Sequence, residues 1–171
     1  MKALFVLLIF SFAAFGETRE VSSGKMEYKV SHVVKTVTGK SEEVRGKMEC
    51  DSSECEFLLG SKVSSFVSSD SNRDVNMMTL TESAKFPLVT GAGKVHLKNL
   101  QSPSTFQHEV LVEFHGVKKT YQVKTTVTGE KKLISKLVLK LEDHGVERPS
   151  LFGVKIKNEV PLVLETEWVG K

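Results

Sequence analysis

The chain has 171 residues, 40% of them hydrophobic, with 24 Lys and Arg against 21 Asp and Glu for a net charge of +3. That length suits one domain with a substantial core. So small an excess of positive charge, interleaved with acidic residues, argues against a nucleic-acid partner; weak attraction to an anionic membrane surface stays compatible with it.

The stretch from Lys2 to Gly16 places one positive charge before an unbroken apolar run and then small residues. That is the layout of a secretory signal peptide. The run from Ala3 to Phe15 is 13 residues, too short to cross about 30 Å of hydrocarbon as a helix. Ala14 and Gly16 offer the small side chains a signal peptidase needs, so cleavage is predicted after Gly16. This gives a signal peptide over 1–16 and a mature domain over 17–171, with 23 basic residues against 21 acidic ones, or +2. The alternative is an uncleaved membrane anchor. No Cys lies near the cleavage point, which argues against a lipid-anchored protein. Export implies a periplasmic or secreted protein folding in an oxidising compartment.

Almost every later segment alternates apolar and polar residues. Met26, Tyr28 and Val30 share one face near 25–34, and Val44 and Met48 near 43–50. Further strands are expected near 55–67, 86–98, 107–115, 119–128, 132–142 and 158–169. Period two with one apolar face is the pattern of antiparallel strands solvated on one side. Pro161, inside the last strand, points to an edge or a bulge there. Cys50 and Cys55 flank the turn-forming tetrapeptide Asp51-Ser52-Ser53-Glu54. A hairpin would set the two thiols opposite each other, and an oxidising compartment favours their disulfide. The other reading is two free thiols. Between the third and fourth strands, residues 71–80 read as a short helix with Ser or Asn as N-cap, ended before Pro87. Met77, Met78 and Leu80 on this helix are either core or the entrance of an apolar cavity. Arg73, beside Asp74, is either half of a surface pair or a cationic contact for an anionic headgroup. Eight such strands form an all-β domain. They can close into a barrel or stack as a sandwich, and periodicity does not choose between them.

Signatures of catalysis are missing. The sequence has no Gly-x-Ser-x-Gly elbow. Thr38-Gly39-Lys40-Ser41 ends like a phosphate loop, but Val34 stands where the first Gly belongs. The five histidines, His32, His96, His108, His115 and His144, include no His-x-x-x-His pair, so neither a metal site nor a cofactor is expected.

Several blocks, in order, resemble the YceI-like family of bacterial exported proteins. They are Tyr28-Lys29-Val30-Ser31-His32, Val44-Arg45-Gly46-Lys47-Met48, Ser71-Asn72-Arg73-Asp74-Val75-Asn76-Met77 with Ala84-Lys85-Phe86-Pro87, Val112-Glu113-Phe114-His115-Gly116-Val117-Lys118-Lys119, and Arg148-Pro149-Ser150-Leu151-Phe152-Gly153-Val154 with Asn158-Glu159-Val160. Their order and spacing over roughly residues 24–169 carry the likeness. One departure is Asn76, where the family commonly has His. The resemblance implies an extended, lipocalin-like antiparallel β-barrel of about eight strands with one short helix. It also implies a long isoprenoid or similar amphiphilic lipid inside, and a binding rather than catalytic role.

An eight-stranded barrel has room for packed side chains or one slender ligand. Candidate lining residues are Tyr28, Val30, Phe57, Met77, Phe114, Tyr121, Leu139, Phe152 and Trp168, with His32, Arg73 and His115 as headgroup candidates. The competing reading is a structural or partner-binding β domain with a solid core and no ligand. The sequence leaves the oligomeric state open, a homodimer included.

Overall fold

A computed structural model describes residues 16–129 and 131–170. All of the expected signal peptide except Gly16 lies outside the described residues. The elements are β1 (Glu17–Ser31), β2 (Thr36–Ser41), β3 (Arg45–Cys50), β4 (Glu54–Lys62), α1 (Ser71–Leu80), β5 (Leu88–His96), β6 (Ser104–Phe114), β7 (Val117–Val127), β8 (Lys132–Lys140), β9 (Ser150–Leu151), β10 (Val154–Lys155) and β11 (Glu159–Gly170).

The main sheet runs β11-β8-β7-β6-β5-β4-β3-β1, and β11 pairs with β1 to close it. Every pairing is antiparallel. The choice left open by periodicity therefore falls to an eight-stranded barrel, which removes the sheet's exposed edges. Strand β3 pairs only with the first residues of β1, Glu17 to Glu20. Farther along, β2 takes over and pairs with Met26 to Ser31.

Strand β1 begins eight residues before the expected start near residue 25, at Glu17. The cause is a bulge: Val21 faces Trp168, yet Ser23 faces Glu167. The extra residue, Ser22, donates its hydroxyl to the Glu167 carbonyl at 3.2 Å. A bulge shifts side-chain parity by one. Val21 therefore packs on the core although it is out of phase with Met26, Tyr28 and Val30. Strand β2 was not foreseen either, because Thr36-Val37-Thr38-Gly39-Lys40-Ser41 has almost no apolar face. Gly39 is a seat for an aromatic ring: a Cβ there would lie 2.3 Å from atoms of the Tyr28 ring, its cross-strand partner. Pro161 pairs with Val138 of β8 but lies one residue past the end of the β1 seam at Leu162, where no second strand needs its missing N–H.

Helix α1 matches its expected span, but its N-cap is Asp70. The Asp70 carboxylate accepts from Arg73 N at 3.1 Å and pairs with the Arg73 guanidinium at 3.2 Å. Ser71 and Asn72, the expected caps, lie inside the first turn. The helix buries no residue fully; Met77 is its half-buried contact with the core.

Cys50 and Cys55 are joined by a disulfide, directly opposite each other on β3 and β4 with Cα atoms 3.9 Å apart. The hairpin between them is held by Asp51 Oδ1, which accepts from Ser53 N at 2.7 Å, Glu54 N at 2.8 Å and Ser53 Oγ at 3.0 Å. These bonds hold the Asp51 carboxyl below the usual carboxylate range. So short a closed loop restrains the unfolded chain weakly, by about 2 kcal/mol in the chain-entropy treatment. Alkylation without reduction should label neither thiol. Cys50→Ala/Cys55→Ala should lower the denaturation free energy by about that amount. Labelling of both thiols in the unreduced protein would contradict the bond.

Candidate ligand-binding site

The inward faces of the strands do not fill the barrel. Three chambers follow one another along its axis. The upper one, about 100 Å³, lies beneath α1 and is lined by Tyr28, Val30, Phe66, Met77, Phe114 and Leu139 among others. A middle one of about 70 Å³ includes Phe57, Val110, Val123 and Leu137. A lower one of about 30 Å³ includes Met48, Phe106, Leu133 and Trp168, towards the disulfide end. Each exceeds the roughly 10–15 Å³ of probe-occupied volume that one water needs.

The chambers share walls. Met26, Val89 and Leu162 line both upper and middle chambers. Phe57, Leu59, His108, Ser135 and Leu164 line both middle and lower ones. On β11 the lining runs from Val160 through Leu162, Leu164 and Thr166 to Trp168. Eight strand residues at about 3.3 Å each give roughly 26 Å, or about 20 Å along the axis after barrel tilt. The result is a segmented apolar tunnel. Among the described residues no Lys, Arg, Asp or Glu lines any chamber.

The expected lining residues separate into two groups. Tyr28, Val30, Met77, Phe114 and Leu139 line the upper chamber, Phe57 the lower two and Trp168 the lowest. Tyr121 lines none of them. Its ring stacks on His144, and its hydroxyl meets His144 Nε2 at 2.9 Å. Phe152 has to be corrected: it sits at the tip of the β9–β10 hairpin and is 87% exposed. Two residues of turn, with φ of 53° at Phe152 and 77° at Gly153, reverse the chain there and point the ring away from the barrel.

The three headgroup candidates lie outside the tunnel. Arg73 bonds the Ser68 carbonyl at 3.2 Å as well as Asp70. His32 Nδ1 accepts from Val34 N at 3.3 Å, so Nε2 carries the proton and donates to the Val154 carbonyl at 3.0 Å. His115 donates from Nδ1 to the His144 carbonyl at 2.9 Å and meets Glu82 Oε2 through Nε2 at 2.8 Å. Both His115 and Glu82 hold left-handed backbone, φ 51° and 45°. Their contact ties the C-terminal end of α1 to the β6–β7 turn, at the upper end of the barrel.

Two features escaped the sequence reading. His144, fully buried, lies in a 3₁₀ turn over residues 142–144. Its Nδ1 is 3.1 Å from the Phe114 carbonyl and 3.0 Å from the Val117 carbonyl. Carbonyls only accept, so Nδ1 carries the proton and Nε2 accepts from Tyr121. Burial pushes its pKa down. The second feature is a polar cluster inside the tunnel. His108 Nε2 lies 2.9 Å from Thr125 Oγ1, which lies 2.8 Å from Ser135 Oγ. Burial also lowers the His108 pKa, outweighing the Glu109 backbone, which acts the other way. Strand parity carried the signal, since His108, Thr125 and Ser135 share the inward phase of Val110, Val123 and Leu137.

Fold comparisons agree with this architecture. A polyisoprenoid-binding domain from Saccharophagus degradans, implicated in plant cell wall breakdown, superposes with a TM-score of 0.68 at 14% identity, covering 90% of this chain and 98% of that one. BcnA of Burkholderia cenocepacia superposes with a TM-score of 0.65 at 12% identity, covering 85% and 96%. No curated protein matches the sequence. The family model of the YceI-like domain matches residues 18–168. With nearly the whole barrel inside that match, the chain belongs to the YceI-like family.

Proposed function

We propose that this protein is an exported, non-catalytic carrier that holds one long isoprenoid or similar amphiphilic chain in the barrel, for transport, storage or sequestration. The observation that carries the reading is the predominantly apolar lining of three successive chambers from Val30 to Trp168, with no Lys, Arg, Asp or Glu in it among the described residues. Burial is worth about 0.8 kcal/mol per CH₂, so each five-carbon unit supplies roughly 4 kcal/mol before ordering costs. Affinity then needs few polar contacts. The polyisoprenoid-binding neighbour of like fold supports the same class of ligand.

Exchange with a bilayer fits the upper end. There the β1–β2 turn exposes Val33 and Val34, 77% and 71%, beside the β9–β10 hairpin with Phe152. The two are tied by His32 to Val154 and by Lys157 N to the Ser31 carbonyl at 2.8 Å. Exposed Lys35, Lys155 and Lys157 lie within a few residues of these tips along the chain. Apolar tips flanked by lysines suit transient contact with an anionic membrane surface.

The test is native mass spectrometry of protein exported by its host and purified without detergent. The expected spectrum shows a polypeptide starting at Glu17 carrying an extra mass that organic solvent extracts as one lipid. Bare protein in repeated preparations, unable to take polyprenol from phosphatidylglycerol vesicles, would favour a packed partner-binding domain instead. A mass retaining residues 1–16 would overturn the cleavage assignment.

A further inference from the structure

We propose that His108, Thr125 and Ser135 form a seat, halfway along the tunnel, for an uncharged oxygen-bearing group of the ligand, a hydroxyl or a carbonyl. The proposal rests on the tunnel being the lipid site. Three inward positions on the adjacent strands β6, β7 and β8 carry polar side chains where their neighbours along each strand are apolar. Thr125 and Ser135 are direct cross-strand partners, and His108 reaches them from β6. His108 and Ser135 both line the junction of the middle and lower chambers.

The cluster is incomplete by itself. His108 Nδ1 is buried and makes no hydrogen bond. Buried polar atoms are rarely left so, and each calls for a partner. Two hydrogen-bond patterns are self-consistent. In one, Thr125 donates to Nε2 and Nδ1 carries the proton, leaving a free donor. In the other, Nε2 donates to Thr125, Thr125 donates to Ser135, and Nδ1 is a free acceptor. Neutral imidazole thus presents one donor or one acceptor, which suits a carbonyl in the first case and a hydroxyl in either.

The surroundings restrict the ligand further. The rings of Phe57 and Phe106 lie 5.8 Å and 5.4 Å from the His108 ring. Among the described residues no Lys or Arg lines the chambers to balance a phosphate, and an unpaired anion in an apolar cavity is strongly disfavoured. A phosphorylated headgroup would have to stay at the mouth, with only its tail inside.

Three chain-matched probes test this on the delipidated mature protein: phytane, phytol and phytyl phosphate. The chain has a single tryptophan, Trp168, in the lower chamber, and its fluorescence reports occupancy. Phytol should bind about tenfold more tightly than phytane, the scale of one neutral hydrogen bond, and more tightly than phytyl phosphate. In His108→Phe the phytol-to-phytane ratio should fall towards one. Thr125→Val, nearly isosteric, should lower it as well and serves if His108→Phe does not fold. A ratio near one in the wild type, a ratio unchanged in folded variants, or tightest binding by phytyl phosphate would each overturn the seat while leaving the carrier reading intact. Failure of all three probes to bind would overturn the carrier reading itself.

Discussion

Replacing Leu162 by tryptophan should strip the barrel of long-chain lipid while leaving it folded. Leu162 is only partly buried and lines both the upper and the middle chamber. An indole there fills space between them. Overpacking costs about 1–3 kcal/mol, which a closed barrel of this size should survive. The ligand loses more. Shutting one five-carbon unit out of the upper chamber forfeits about 4 kcal/mol of gross burial. Allowing for the ordering cost saved, long-chain affinity should fall about a hundredfold. A probe short enough for the middle and lower chambers should lose far less. Leu139→Phe, which crowds only the upper chamber, should act in the same direction with a smaller effect. Native mass spectrometry reads the retained lipid, and circular dichroism reads the fold. Unchanged long-chain retention in both folded variants would mean that the interior works as packed core, and the partner-binding reading would then be the better one.

The largest stability loss is expected at His144. Its ring joins the 3₁₀ turn to the β6–β7 hairpin and to Tyr121. In His144→Ala the Tyr121 hydroxyl and the Phe114 and Val117 carbonyls lose this partner beside a new cavity. A loss of about 3 kcal/mol or more is expected, against about 1 for Tyr121→Phe. On melting this corresponds to roughly 10 °C for a chain of this size. Equal effects of the two substitutions would remove the case for His144 as the hub. The same ring gives the stability a pH dependence of definite sign. Burial lowers the folded pKa of His144 and of His108, while an unfolded imidazole takes a proton near pH 6.5. Unfolding therefore takes up protons. The contribution is complete above about pH 6.5 and is lost as pH falls through the lower folded values. Denaturant midpoints should drop on going from about pH 7.5 to about 5. His108→Phe should flatten part of that slope. A midpoint that holds or rises on acidification would contradict the neutral assignment of both rings.

Side-chain parity made most of the barrel legible in the sequence. Strands β4, β6 and β8 alternate because one face is wet and the other dry, and that pattern places Phe57, Phe114 and Leu139 inward. It failed where one residue breaks the phase. Ser22 shifts β1 by a position, so Val21 fell outside the strand expected to start near residue 25. Gly39 resembled the end of a phosphate loop because a sequence does not show the Tyr28 ring lying over it. Phe152 was assigned inward by residue type, although the left-handed turn that exposes it leaves little mark beyond one glycine. Tyr121 had the right parity but lies where the 3₁₀ turn recruits its hydroxyl. His108, Thr125 and Ser135 were on the right face and were passed over because they are polar, which is the property that sets them apart inside an apolar tunnel.

The seam between β1 and β11 brings together nearly the two ends of the described chain, with Arg19 opposite Gly170. Among the described residues it is the longest-range pairing and the last one available to a chain that emerges N-terminus first. Until β11 arrives, β1 and β8 are two live sheet edges, and the tunnel is an open trough with one wall missing. Assembly therefore has a vulnerable interval that ends only when the final strand docks, the slow step expected of such non-local topology. A chain cut short before β11 would keep both edges bare, and pairing with a second copy would be its main route to covering them.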